Sequence, residues 1–327
     1  MIITRTPFRI SFAGGGTDLR AFYSKKAGKV ISTSIHNYIY VVVKRQIGIV
    51  EHKYRVNWSK VEFCNEVENI EHPIVREALK KFDIDFPIEI TTFTEIPGQT
   101  GLGSSSAIAV GLVHALHAIK GEMATKHILA SEAAEIEVDI LKRSMGKQDH
   151  YASAYGNFNI FTFNSDEVVL TEPILYKSEI KENLESNLML FYTSIKRDAS
   201  AILETQEEQT DLKFETLKQL QELVQPLQEI LSGTEDLRKF GEILHKGWML
   251  KKEITKEISS NKIDNYYEKA IKAGAIGGKI LGAGGGGFLL FYVEKNKQES
   301  VKEALKDLFY LPVKFDSSGS RITYYDE

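Results

Sequence analysis

The sequence predicts an α+β protein of two domains, on three observations. Its 327 residues exceed what one hydrophobic core ordinarily holds. The N-terminal half mixes strands and helices without the regular strand–helix alternation of a doubly wound parallel sheet. The C-terminal half reads strand, helices, strand, helix, strand, the order of an antiparallel sheet with helices on one face. The join falls in the polar stretch 164–186, which contains Asn164-Ser165-Asp166 and Lys181-Glu182-Asn183. The domains are therefore set at 1–180 and 181–327.

Bulk composition excludes several functions. A hydrophobic share of 43% with 26% charged residues is that of a globular domain rather than a disordered or membrane-embedded chain. The net charge of −4 gives no footing for nucleic acid or an anionic membrane surface. One cysteine, Cys64, rules out an internal disulfide and a cysteine-rich zinc site. The start, Met1-Ile2-Ile3-Thr4-Arg5, is too polar for a signal peptide, and no apolar run approaches the roughly 20 residues of a membrane helix. A cytoplasmic location is expected.

Taken in order, Ile2 to Ser11 reads as a strand that ends in Phe12-Ala13-Gly14-Gly15-Gly16-Thr17-Asp18. Three glycines beside a Thr-Asp pair make a sharp turn. Lys29 to Lys44 is β-branched and aromatic, hence a strand, and residues 49–63 supply one or two more. Asn69 to Phe82 has helical spacing, with Ile70, Ile74, Leu79 and Phe82 inward. Ile88 to Thr94 alternates as a strand. A glycine- and serine-rich loop leads from it into the apolar helix around Ile108 to Leu116. A second helix runs from Ala124 to Ser144, carrying Glu132, Glu135, Glu137 and Asp139, and Gly146 ends it. The strand Gly156 to Phe163 closes the first half.

The second half opens with the apolar strand Leu188 to Ser194. Ala199 to Ser232 is helical with a kink expected at Pro226. Further helices span Asp236 to Ile258 and Ile263 to Ala273. Four consecutive glycines, Gly284 to Gly287, precede the strand Leu289 to Val293. Such a run is entropically costly and points to a close backbone contact. A helix from Lys297 to Phe309 and a closing strand, at Val313 to Phe315 or Ile322 to Tyr325, complete this domain.

The loop Pro97-Gly98-Gln99-Thr100-Gly101-Leu102-Gly103-Ser104-Ser105-Ser106-Ala107 joins the strand Ile88 to Thr94 to the helix that follows. Glycines bring backbone N–H groups close to a ligand, and the helix start that follows favours an anion. Strand, loop and helix N-terminus fit a phosphate cradle or an ordinary capped helix entry equally well. No Gly-Lys-Ser/Thr closes it, so it is not a P-loop of the Walker type.

Three glycine motifs in this order resemble those of the GHMP kinase family. They are Pro7 to Asp18, the loop Pro97 to Ala107 with its Gly-Leu-Gly-Ser-Ser, and Lys279-Ile280-Leu281-Gly282-Ala283-Gly284-Gly285-Gly286-Gly287-Phe288. The resemblance implies a domain like ribosomal protein S5 domain 2 packed on a ferredoxin-like domain, with ATP and substrate in the cleft between them. Arg9-Ile10-Ser11-Phe12-Ala13-Gly14-Gly15-Gly16-Thr17-Asp18 and Gly146-Lys147-Gln148-Asp149-His150-Tyr151 are most similar to the D-glycero-D-manno-heptose 7-phosphate kinase branch. Galactokinases depart from this chain at Gly14 to Asp18, whereas fucokinase-like members share its Gly-Gly-x-x-Asp.

What the resemblance implies for the site is specific. Pro97, Gly98, Gly101, Leu102, Gly103, Ser104, Ser105 and Ser106 would surround the ATP phosphates. Ser105 and Glu137 would hold Mg²⁺, with Glu135 the other candidate. Asp149 would act on the attacking hydroxyl and Arg9 would assist it. Gly15, Gly16, Thr17, Asp18, Gly284 and Gly285 would meet the sugar. Lys147 meets a phosphate or is solvated. Arg20, Lys25, Lys26, Lys29, Lys196 and Arg197 are candidate partners for a phosphate on the sugar. An unphosphorylated sugar such as fucose or galactose, and a non-catalytic ATP and sugar sensor, are the alternatives; a homodimer is the candidate assembly.

Overall fold

The computed structural model describes residues 1–196 and 199–326. Thirteen strands occur among them: β1 (Ile2–Ala13), β2 (Gly28–Arg45), β3 (Tyr54–Asn57), β4 (Val61–Cys64), β5 (Ile88–Thr94), β6 (Phe158–Phe163), β7 (Val169–Pro173), β8 (Leu188–Tyr192), β9 (Gly277–Ile280), β10 (Phe288–Tyr292), β11 (Phe309–Pro312), β12 (Phe315–Asp316) and β13 (Arg321–Tyr325). They form two sheets. The larger runs β13-β1-β2-β5-β3-β4, with β6, β7 and β12 joined through β2. All its pairings are antiparallel except β3 with β5. The smaller is antiparallel in the order β11-β8-β10-β9.

The 18-residue β2 organises the first sheet. Its first half pairs with β6 (Val30 with Phe161) and its second half with β5 (Val43 with Ile90), while β1 runs along it on the other side. Helix Ser104–Ile119 lies on β1 and β2, and its apolar residues from Ala107 to Ala118 are largely buried there. In the second sheet Leu190 stands between Leu290 and Leu311, so the strand is apolar on both faces. Phe12 at the end of β1 meets Phe240 of helix Arg238–Lys252 edge-on at 5.0 Å, joining the two halves through one core.

Several expected elements are differently bounded. The first amphipathic helix begins at Pro73 rather than Asn69, because Pro suits the first helical turn and His72 caps it. Ala199 to Ser232 is three helices, Ala199–Glu208, Phe214–Glu222 and Val224–Leu231. Pro226 sits in the first turn of the third, where its missing N–H costs nothing, and so it marks a start instead of a kink. The polar join contains a strand, β7, and a helix, Ser178–Asn187, whose only buried residue is Leu184.

The closing strand is a correction. Neither β12 nor β13 belongs to the second sheet. β12 pairs with β2 and β13 with β1, so the chain returns to the first domain after β11. A buried polar chain fixes this return. The Thr6 and Ser320 hydroxyls lie 2.9 Å apart, and Ser320 Oγ lies 3.0 Å from His114 Nδ1. Burial lowers the His114 pKa from its ordinary 6.5 to about 4, with the nearby His117 a lesser cause. The unfolded chain therefore binds a proton that the folded chain refuses between pH 6.5 and about 4, and stability falls as pH drops through that window. Thermal unfolding should accordingly show a smaller loss of Tm across this range in His114→Gln than in the parent protein. An identical pH dependence in the two would contradict the assignment.

Candidate active site

A cleft of roughly 400 Å³ lies where β1, the glycine loop, helix Gln148–Tyr155 and the second domain converge. Its wall includes Arg9, Ser11, Gly14 to Gly16, Asp18, Gln99, Gly101, Gly103 to Ser105, Arg143, Asp149, Lys251, Lys279 and Gly282. The three glycine motifs, remote in sequence, meet here.

Arg9 is the hub. It is 4% exposed, and its guanidinium grips Asp149 in fork geometry, Nε to Oδ1 and Nη2 to Oδ2, both at 2.6 Å. Nη1 donates to the Gly101 carbonyl at 2.7 Å, and the Arg9 backbone N–H donates to Leu102 O at 3.0 Å. One residue of β1 thus positions both the loop and the first turn of helix Gln148–Tyr155. A bidentate pair also fixes the plane of the carboxylate.

The loop owes its course to the second domain. Phe288 N–H donates to Thr100 O at 3.1 Å. Gly287 has φ +87°, and a Cβ there would stand 2.2 Å from Thr100 O; Gly101 has φ +84°, and a Cβ there would stand 2.4 Å from Leu281 O. The costly glycine run is explained: two backbones pass at a separation that no side chain permits. Gly103, Ser104 and Ser105 then face the cleft at the N-terminus of a 16-residue helix, which favours an anion.

Asp18 is buried beside them. Its Oδ1 accepts from Gly16 N–H and Gln148 Nε2, each at 2.9 Å, and its Oδ2 from Gln148 N–H at 3.3 Å. Burial, followed by the charge of Asp149, pushes its pKa above the usual carboxylate value. Glu137 is fully buried in a π-helical turn, Glu135–Ile140, that continues helix Lys126–Ala134. Such wide turns often present a functional side chain. Its Oε2 is 2.9 Å from His150 Nε2, and Arg143 pairs with Oε1. Burial alone would raise the Glu137 pKa, but His150, Arg143 and Ser105 together bring it below the ordinary value.

The structure gathers most of the expected residues and moves a few out. Gly101, Gly103, Ser104, Ser105, Gly15, Gly16, Asp18, Arg9 and Asp149 share the cleft. Pro97 and Gly98 are exposed, Leu102 is core, and Ser106 is buried in the first turn of helix Ser104–Ile119. Thr17 does not face the cleft; its hydroxyl donates to the Gly14 and Lys29 carbonyls and closes the turn. Gly284 and Gly285 pack on the turn Lys256–Ile258 instead, with Gly285 N–H donating to Ile258 O at 2.7 Å. Lys279, Gly282 and Ala283 are the motif-three residues in the wall.

The expected phosphate cations also shift. Arg20 pairs with Asp139 and Glu167, and Lys147 with Glu167. Glu135 pairs with Lys81 away from the cleft. Lys25 pairs with Asp211, Lys26 and Lys29 border a separate depression, and Lys196 is exposed. Arg197 lies outside the described residues. Among those residues the cations lining the cleft are Arg9, Arg143, Lys251 and Lys279. Sequence reasoning missed Gln148, although it adjoins Asp149, and assigned no role to Ser11, Arg143 or Lys279. Only the folded geometry separates these from ordinary surface or core positions.

A helix start opening on the cleft, facing a clamped carboxylate and a buried aspartate, fits the constellation of a phosphotransferase with an alcohol acceptor. The comparisons agree. The model of the GHMP kinases N terminal domain matches residues 67–157, and that of the GHMP kinases C terminal matches residues 206–311. The D-glycero-alpha-D-manno-heptose 7-phosphate kinase of Campylobacter jejuni is 31% identical over 322 residues, covering 93% of each chain. The bifunctional fucokinase/GDP-fucose pyrophosphorylase of Arabidopsis thaliana is 25% identical over 92% of this chain, which spans 31% of that protein. The crystal structure of a D-glycero-D-manno-heptose 1-phosphate kinase from Bacteroides thetaiotaomicron shares the fold with a TM-score of 0.81 at 23% identity, each chain covered in full. The protein belongs to the GHMP kinase family, and it is a sugar kinase of that family. Among the described residues no helix is long and apolar enough to cross a membrane.

The interlock of loop and second domain gives a direct test. Gly287→Ala should raise amide hydrogen exchange in residues 97–103 by about tenfold or more, through loss of the Thr100 contact. Unchanged exchange there would show that the loop holds its course without motif three.

Proposed function

We propose that the chain uses ATP to phosphorylate the anomeric hydroxyl of D-glycero-D-manno-heptose 7-phosphate, giving the 1,7-bisphosphate for nucleotide-activated heptose synthesis. The observation that carries this is the Arg9–Asp149 pair, set between the anion-binding helix start and Asp18, in a chain 31% identical to a heptose 7-phosphate kinase. The family likeness supports ATP as the donor and the cytoplasm as the location.

The sugar lies against Asp18, Gln148 and the Gly15–Gly16 backbone, and its attacking hydroxyl points to Asp149. That carboxylate orients the hydroxyl and takes its proton, while Arg9 holds the carboxylate in place. Amides of Gly103 to Ser105 receive the donor's phosphates. Arg143 and Lys251 are the counter-charges for the phosphate that the sugar carries, replacing the exposed lysines expected from sequence.

Mg²⁺ suits Ser105 and Glu137. They offer a hydroxyl and a carboxylate held in its ionised form, and among the described residues there is no larger acidic or histidine cluster for a metal. One carboxylate with substrate phosphates and water is a common Mg²⁺ shell. Bound there, the ion would neutralise phosphate charge, and the Arg143 guanidinium now paired with Glu137 would be released to the sugar's phosphate.

An unphosphorylated acceptor is the second reading, favoured by the fucokinase relative's match over 92% of the chain. Coupled ADP release with a panel of sugars separates the two. Heptose 7-phosphate should exceed unphosphorylated heptose, fucose and galactose in kcat/KM by on the order of a hundredfold or more. Equal activity on fucose or galactose would refute the phosphate pocket, and ADP release independent of any sugar would refute the kinase reading.

A further inference from the structure

Lys279 is a buried cation that the mechanism above leaves unused. It lies on β9, lines the cleft and is 7% exposed. Its ammonium crosses between the domains to donate to the Ser11 carbonyl at 2.9 Å and the Phe12 carbonyl at 3.0 Å. An ammonium has three donors, and these carbonyls use two. No carboxylate is paired with Lys279 among the described residues, which is unusual for a buried cation. Beside it, the Ser11 hydroxyl also lines the cleft, is buried and has no hydrogen-bond partner. Ser11 stands two residues from Arg9 on β1, so both side chains lie on the same face of the strand. Along that face the order is Arg9 with Asp149, then Ser11 with Lys279, then the glycine turn with Asp18. The middle position therefore lies between the clamped carboxylate and the sugar site.

An unpaired ammonium and an orphan hydroxyl, both buried and both facing one cleft, call for an anionic oxygen. We propose that Lys279 and Ser11 together contact the phosphoryl group in transit, as a second charge clamp contributed from across the domain boundary. This rests on the kinase reading of the site. In the step concerned, the sugar oxygen forms a bond to the γ-phosphorus as the bond from that phosphorus to the ADP oxygen breaks. The hydroxyl proton passes to Asp149, and the negative charge shared by the equatorial oxygens falls to Lys279 and Arg9.

Burial, with the charge of Arg9 as a second cause, lowers the Lys279 pKa from 10.5 to about 7. The other titratable groups on the cleft wall are Asp18, Arg143, Asp149 and Lys251. An anion placed against Lys279 restores its proton affinity, so a γ-phosphoryl should bring a proton with it at about pH 8.

The test is calorimetric titration of the full chain with Mg²⁺ and a non-hydrolysable ATP analogue, in buffers of different ionisation enthalpy. Near pH 8 the parent protein should take up a proton on binding the analogue. Lys279→Met and Lys279→Arg should not, the first lacking the group and the second protonated throughout. The arginine variant keeps the charge and carbonyl donors, so it serves if the methionine variant fails to fold. Proton uptake of the same size in either variant would overturn the proposal. This result does not depend on which sugar is the acceptor, so it fails or holds separately from the substrate reading. With an active acceptor in hand, Lys279→Met should lose kcat by on the order of a hundredfold, and near pH 8 it should also bind the analogue about tenfold more weakly, because the proton taken up is coupled to binding. A kcat within about threefold of the parent would equally overturn it.

Discussion

The buried ion pair between Arg9 and Asp149 is the constraint on which the site depends. Its side chains are only 5% and 16% exposed, so neither charge has water to fall back on. Removing one partner of such a pair typically costs about 3–5 kcal/mol, because the other is left uncompensated. A hydrophobic pair would be a simpler way to join a strand to a helix. The ion pair instead fixes where the carboxylate points, through its fork geometry. Because the same guanidinium bonds to Gly101 O, the glycine loop and the Asp149 carboxylate share one reference point. Their separation is fixed by a single side chain, which is what in-line phosphoryl transfer demands of a protein.

The second domain contributes rigidity to that arrangement. Its glycine run lets Phe288 reach Thr100 and brings the loop against Leu281 and Gly282. Lys279 reaches back in the other direction, onto the end of β1. Loop and strand end are thus both held from across the cleft. The cleft is a seam between two sheets whose facing backbones interlock, and Arg9, Asp18 and Asp149 project into it from the first domain.

The glycine motifs and the strong strands were legible because their signals are local. A β-branched run such as Ile39 to Val43 or an apolar one such as Leu188 to Tyr192 needs no partner to be recognised as a strand. Arg9, Asp18 and Asp149 were legible only through the ordered trio of motifs, since each taken singly reads as a turn or surface charge. Pairings at long range were not legible. That β13 joins β1 depends on a register between residues 2–5 and 321–325, and nothing local distinguishes it from a strand of the second sheet. The places of Thr17, Gly284 and Gly285 were misjudged for a similar reason. A motif marks a stretch of backbone, whereas tertiary packing decides which of its residues faces the ligand. The cations were misjudged because exposed lysines and cleft lysines are identical in composition.

The most direct test of this account is single-turnover phosphoryl transfer by Asp149→Asn, measured beside its nucleotide affinity. The substitution keeps the size of the side chain and one oxygen for Arg9, and it removes the proton acceptor. The transfer rate should fall by roughly 10²–10⁴-fold while nucleotide affinity changes little. A variant that transfers phosphate at close to the parent rate would contradict the central role given to the Arg9–Asp149 pair.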